Sequence, residues 1–166
     1  MAMKAVLHSF TYAIDYLAQQ VADVSAADMV TQPSGILNHP AWTIGHLTLS
    51  CQMLGEVIGV QGWLPTDWVR RFGPGSVPVA DAAVYETKRR AVSILRDAQE
   101  RLARAVESLD NATLDLQFPV ETYRDVFPTI RHALTQVMVG HAAYHVGQMA
   151  IWRRAMGLPP LERSFQ

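Results

Sequence analysis

The sequence has little of what stabilises exported or membrane proteins. Cys51 is its single cysteine, so no disulfide can form within the chain, and one thiol fits a reducing compartment. No apolar run approaches the roughly 18 residues that a membrane-spanning helix needs. The N-terminal stretch MAMKAVLHSFTYAIDYLAQQ mixes Tyr, His, Asp and Gln among its apolar residues, unlike a signal peptide. We therefore expect a cytoplasmic protein without a membrane partner.

Charge is also scarce and balanced. Charged residues make up 17% of the chain and the net charge is −1, so there is no basic excess of the kind that nucleic-acid binding requires. The pairs Arg70–Arg71 and Arg153–Arg154 are most simply solvated faces. Hydrophobic residues make up 49% of 166 residues, which favours one packed domain over residues 1–166.

Helical periodicity dominates what is present, and no segment has a convincing strand pattern. Apolar residues recur at steps of three and four, which places them on one face of a helix. Proline suits a first helical position, so a helix should begin at Pro40 with His39 as its cap, and Asp81 should cap the next. The predicted helices span about residues 3–24, 40–59, 82–109 and 128–157.

The lengths of the links between these helices predict an all-α four-helix bundle. A bundle of 20-residue helices is about 30 Å long, and about nine extended residues can cross it. The link 60–80 is long enough to do so, which allows the second and third helices to run parallel.

The stretch HAAYHVGQ contains two histidines four residues apart on the core-facing stripe of the last helix. Side chains at this spacing are neighbours on one face, which suits two imidazoles on one metal ion. His46, on the predicted core face of the second helix with Trp42 and Leu49, supplies a third candidate. Each of His46, His141 and His145 taken alone is more often a satisfied core residue than a ligand. If they form one site, their nearest ring nitrogens should lie about 3–4 Å apart.

Other polar residues near this pattern have weaker cases. Gln148 shares the face of His145 and either orients a ligand or bound water or is an ordinary buried amide. Cys51 lies off the face of His46, and a buried structural thiol is the favoured interpretation. Structural roles are also expected for the remaining histidines: His8, His39 and His132.

Two motifs, HPAWTIGHL and HAAYHVGQMAIWRRAMGLP, resemble the DinB-like (DinB/YfiT) superfamily of metalloenzymes. The resemblance covers nearly the whole chain. It implies an up-down-down-up bundle with a long crossover between helices 2 and 3, and a metal site formed by His46, His141 and His145. It also implies nickel or zinc as the metal and a homodimer. Several relatives are thiol-dependent transferases or isomerases that use bacillithiol, mycothiol or glutathione, and others are described only as hydrolases.

Three neutral imidazoles would leave a divalent ion with its full charge and at least one open position, as in catalytic sites. The position that holds the catalytic Glu in zincin proteases is Ala142 here, and no general base can be assigned. The first hypothesis is therefore a mononuclear metalloenzyme that acts on a small molecule, as a thiol-dependent transferase or isomerase. The alternatives are a hydrolase that uses metal-activated water, and a stress-related module that binds a metal without catalysis.

The expected position of the site also predicts which segments surround its entrance. His46 is about two turns inside its helix, so the entrance should be bordered by the links 25–37 and 73–78 and by the tail after Gly157. The segment 116–123 is expected at the opposite end, without a part in the site.

Overall fold

The computed structural model describes residues 2–161, and within that range it is all-helical, as the sequence predicts. It contains no strand there, only an isolated bridge between Gln117 and Thr129. We label the helices α1 Ala2–Gln20, α2 Pro40–Val57, α3 Trp68–Phe72, α4 Lys88–Glu107, α5 Asn111–Leu114, α6 Ile130–Thr135 and α7 Ala142–Ala155. A π-helical segment, Gln136–His141, joins α6 to α7, so these three pieces form one long last helix.

The main core lies between α1, α2, α4 and the last helix, because α1 packs on α4 and α7 while α2 packs on α4. The apolar residues that recur at helical spacing over 3–24 are all buried, although α1 itself ends at Gln20 rather than at residue 24: Leu7, Phe10, Ile14, Leu17, Val21 and Val24. Within the described residues, no helix is long and apolar enough to cross a membrane.

The starts and ends of the predicted helices need correction. The Asp81 side chain caps only a short 3-10 turn, Ala82–Val84, by accepting from the Ala83 N–H. The backbone then becomes extended at Tyr85, and α4 begins after a second cap, Thr87. Two capping residues six apart in the sequence are each compatible with a helix start, and packing decides between them.

The predicted faces of α2 also need correction. Its main-core face is formed by Ile44, Leu47, Cys51 and Leu54. The stripe predicted for the core instead packs Trp42 and Leu49 in a second, smaller cluster with Trp68 and Phe72, and Met53 on it is 43% exposed. Because α2 is apolar nearly all round, periodicity could not distinguish its two buried faces. Its cap is as predicted: the His39 ring accepts from the Trp42 N–H.

The two residues of the pair Arg153–Arg154 lie in different environments. Arg154 is exposed, as expected, but Arg153 is only 4% exposed. Its guanidinium donates to both carboxylate oxygens of Asp23 and to the carbonyls of Gln20 and Pro159. It thereby ties the end of the last helix to the end of α1, with the two-point geometry that makes arginine–carboxylate pairs strong.

Replacing Asp23 with Asn should lower the free energy of unfolding at neutral pH by about 1–2 kcal/mol. The value is modest because the Asp23 side chain is 46% exposed, and solvent weakens such pairs. The hydrogen bond from Arg153 lowers the pKa of Asp23. The wild-type advantage should therefore be present above about pH 3.9 and be lost as the pH falls through the lowered pKa. Urea unfolding across this range measures the difference.

The matched control is Asp15→Asn, because the pair Asp15–Arg96 is about half exposed on both sides. Its effect should be at most a few tenths of a kcal/mol. An equal loss in both variants would contradict a special role for the Arg153 pair.

Candidate metal centre

The three candidate histidines meet at one point. The Nε2 atom of His141 lies 3.0 Å from the Nε2 of His46 and 3.1 Å from the Nε2 of His145. These values lie within the separation expected from the sequence. The three side chains form the metal-compatible group of the described residues, with ligand atoms within 4.8 Å of one another.

The π-helical segment delivers His141 to this point, since it ends on that residue. A π turn has i→i+5 hydrogen bonds and therefore holds more residues than an α turn. Met138, within the segment, and Ala142, directly after it, are fully buried. Their burial fixes the segment against the core. The sequence predicts a continuous α-helix here, and the wider turn was missed because its side chains fit either geometry.

His46 is oriented by the short helix α3. Its Nδ1 lies 2.6 Å from the carbonyl oxygen of Phe72. A carbonyl can only accept, so Nδ1 carries the hydrogen and Nε2 presents its lone pair to the other two rings. The Trp42 ring stacks on the opposite face, 4.7 Å away and nearly parallel.

Gly45 makes the contact with Phe72 possible. A Cβ atom at this position would overlap the Phe72 ring, so only glycine lets α3 approach α2 this closely. Gly45, next to the candidate ligand His46, thus allows the Phe72 carbonyl to reach the His46 ring.

Burial keeps the three imidazoles neutral. It lowers the pKa of His46, and together with the charge on His46 it lowers the pKa of His141 to about 4. Burial and the neighbouring histidines lower the pKa of His145 to about 3. At neutral pH all three rings are in the state that binds a metal.

The hydrogen-bond arrangement fits a shared cation. His46 Nε2 is an acceptor, so a single hydrogen on His141 Nε2 would have to serve both neighbouring nitrogens. Coordination through the three Nε2 atoms would place a hydrogen on each Nδ1. That of His46 donates to the Phe72 carbonyl, whereas the buried Nδ1 atoms of His141 and His145 have no hydrogen-bond partner within the described chain. Ligands about 2.0–2.1 Å from a common ion lie about 3–3.4 Å apart, close to the observed distances. The donor set is therefore suited to a divalent metal.

A cavity of about 680 Å³ opens beside the triad. His46 and His141 form part of its wall, whereas His145 lies behind them and does not. Most other lining residues are apolar, from α2, the end of α3, the segment 118–127 and the π-helical segment. An occupant of the cavity would therefore contact His46 and His141.

The expected surroundings of the site were wrong in one respect. Phe118, Pro119, Val120 and Tyr123 line the cavity, although the segment 116–123 was expected at the far end. The bridge between Gln117 and Thr129 folds this link back along the last helix. From the segments expected at the entrance, only Pro74 lines this cavity, and residues 162–166 of the tail lie outside the described part of the chain.

The remaining polar candidates have structural partners. The Gln148 side chain accepts from Asn38 at 3.0 Å, and it lies close enough to His145 to raise that pKa slightly against the effect of burial. Burial raises the pKa of the Cys51 thiol to about 12, which excludes it as a nucleophile at neutral pH. His39 caps α2, His132 pairs with Thr129 and His8 is exposed.

Replacing Gly45 with Ala should displace Phe72 and break its hydrogen bond to His46. Loss of such an orienting partner typically weakens metal affinity about 10–100-fold, so we expect that loss in competition titrations with a chromogenic chelator. Thermal stability should fall as well, since the new methyl group overpacks a buried contact.

Gly147→Ala is the matched control, because no atom lies within 4 Å of a Cβ at that helical position. It should leave metal affinity unchanged and stabilise its helix slightly. Unchanged affinity in Gly45→Ala would show that the Phe72 carbonyl does not orient a ligand.

Comparison with known proteins places this geometry in a family. The family model of the DinB superfamily matches residues 9–149, most of the chain, and this span includes His46, His141 and His145. No curated protein and no solved structure matches the chain. The chain belongs to the DinB superfamily.

Proposed function

We propose that this protein is a mononuclear metal-dependent enzyme in which His46, His141 and His145 bind one divalent ion, nickel or zinc. The observation that carries the proposal is the meeting of three Nε2 atoms, 3.0 and 3.1 Å apart, at the wall of a cavity. A closed site without a cavity would instead favour a module that only stores or senses metal.

Several features of the chain would prepare this site to bind a metal ion. Burial holds all three rings neutral, so no proton competes for the ligand atoms near pH 7. The carbonyl of Phe72 fixes the tautomer of His46, and the π-helical segment sets the position of His141. His145 lies behind the cavity wall, so access is from the side of His46 and His141.

The reaction class that fits best is a thiol-dependent transfer or isomerisation. The metal-compatible group of the described residues contains no carboxylate, so the group itself supplies no carboxylate as general base. A divalent ion at the site would supply Lewis acidity, which lowers the pKa of a thiol or of water. A free thiol has a pKa of about 8.5 and needs far less help to ionise than water at about 15.7.

We also propose an up-down-down-up order of the four long helices. Two contacts support a parallel pair of α2 and α4. The ring of His39, at the start of α2, contacts Tyr85 just before α4. Further along both helices, Arg101 of α4 lies over Trp63, and the N–H of Trp63 donates to Gln52 of α2.

Metal analysis of protein purified without a histidine tag tests the metal site. We expect about one nickel or zinc ion per chain, and loss of most of it in His46→Ala and in His141→Ala. His132→Ala is the control, because His132 is exposed and pairs only with Thr129. Equal metal content in all variants would refute the triad as the site.

Activity is then tested with bacillithiol, mycothiol and glutathione, each offered with a panel of small electrophiles. Thiol consumption that requires both the metal and His141 would support the proposed reaction class. Metal-dependent ester or amide hydrolysis without any thiol would replace it with the hydrolase alternative.

A further inference from the structure

The cavity extends well beyond the histidine triad along one face of α2. Its lining residues on that helix recur at helical spacing over three turns: His46, Leu49, Ser50, Met53, Leu54, Glu56 and Val57. Ten residues separate His46 from Glu56, which corresponds to about 15 Å along the helix axis. An occupant that reaches both ends must therefore be elongated.

The wall opposite α2 is apolar and partly aromatic. Phe118, Val120, Tyr123, Val126 and Phe127 all line it. The ring of Phe127 lies 5.4 Å from that of Phe118 and 6.3 Å from that of Tyr123. Surfaces of this kind bind the hydrocarbon part of a ligand through burial and ring contacts.

Glu56 stands out in this lining. It is the one acidic residue among the described lining residues, which include no lysine or arginine. A hydrogen bond of 2.9 Å from Gln52 Nε2 holds one of its carboxylate oxygens. Gln52 is only 8% exposed, and its own oxygen accepts from the N–H groups of Trp63 and Leu64.

This arrangement fixes the carboxylate without neutralising it. The Gln52 amide has both of its polar atoms engaged, so its orientation is set before any ligand arrives. A carboxylate can accept about four hydrogen bonds, and the neutral amide of Gln52 supplies one without cancelling its negative charge. Glu56, which is exposed at the edge of the cavity, thus offers a preorganised acceptor remote from the triad.

We propose that the cavity binds an elongated, largely apolar compound that carries an ammonium group, and that Glu56 receives this group. The hydrocarbon part lies between α2 and the segment 118–127. The assignment of the opposite, reacting end of the compound to the histidines rests on the proposed function, whereas the recognition of the ammonium group does not.

The test compares three probes with one hydrocarbon skeleton: 4-phenylbutylamine, 4-phenyl-1-butanol and 4-phenylbutyric acid. Their affinities are measured by isothermal titration with the protein as purified and again after removal of metal by a chelator. Because Glu56 is exposed to solvent, its attraction for an ammonium group should favour the amine over the alcohol by about three- to fivefold, and the acid should bind most weakly. The preference should persist without metal, which excludes coordination of the amine by the ion as its cause.

Glu56→Gln should abolish the preference for the amine while leaving the affinity for the alcohol unchanged. Glu100→Gln is the matched control, because Glu100 is exposed on α4, pairs with Arg104 and does not line the cavity. Phe127→Ala should lower the affinity of the protein for all three probes to a similar extent. Should Glu56→Gln fold poorly by circular dichroism, Glu56→Asp, which withdraws the carboxylate by one methylene, should reduce the preference.

Three results would overturn the proposal: equal affinities for amine and alcohol, tightest binding of the acid, or no binding of any probe. An amine preference unchanged in Glu56→Gln would also overturn it, since Glu56 would then serve only its local bond to Gln52. Failure of the proposed function would give a different result: the protein would lack metal or metal-dependent turnover, while the preference for the amine would remain.

Discussion

The candidate site depends on the contact between Phe72 and Gly45. Without a side chain on Gly45, α3 lies directly on the backbone of α2, and the Phe72 carbonyl reaches the ring of the next residue, His46. That hydrogen bond selects the tautomer that aims a lone pair at His141 and His145. Both Phe72 and His46 also belong to the wall of the cavity. A short helix inside a connection thus determines the chemical state of a buried ring.

The three histidines lower the stability of the fold that contains them. Three neutral imidazoles are desolvated together, and two of their Nδ1 atoms lack partners in the described chain. Unsatisfied buried polar groups each cost about 1–3 kcal/mol. The surrounding structure offsets this cost with buried polar ties elsewhere, such as Arg153 between the last helix and α1, and with two apolar clusters that enclose α2 on both sides. Binding of a cation to the three Nε2 atoms would not satisfy the two Nδ1 atoms, but it would replace the close approach of three ring nitrogens with bonds to the ion, so metal binding and stability should be linked.

The sequence predicted that His141 and His145 would be neighbours because helical periodicity is a local property, whereas the convergence of His46 with them rested on a predicted core face of α2 that needed correction. The spacing of His141 and His145 places them on one face whatever the rest of the chain does, and the cap at His39 fixes where α2 begins. Prediction from the sequence failed where the structure depends on contacts between residues distant in the sequence. The segment 116–123 carries no periodic pattern. Its bridge to Thr129 and the burial of Phe118 in the main core bring it back over the cavity. Similarly, the buried state of Arg153 depends on Asp23, in the turn after α1, and the charge pattern of the last helix alone could not reveal it.

The π-helical segment makes the number of residues in the last helix matter as much as their identity. Relative to a regular α-helix, a π turn contains one additional residue, and each residue corresponds to about 100° of rotation. Removal of any one residue from 136–141 would allow a regular helix with better local hydrogen bonds, yet it would rotate His141 and the preceding core residues out of phase. Insertions and deletions are usually tolerated in loops and selected against in cores for reasons of packing. Here a length change within a helix would instead separate two sets of side chains that must face the same way: the residues that hold the helix in the core, and the rings that form the site.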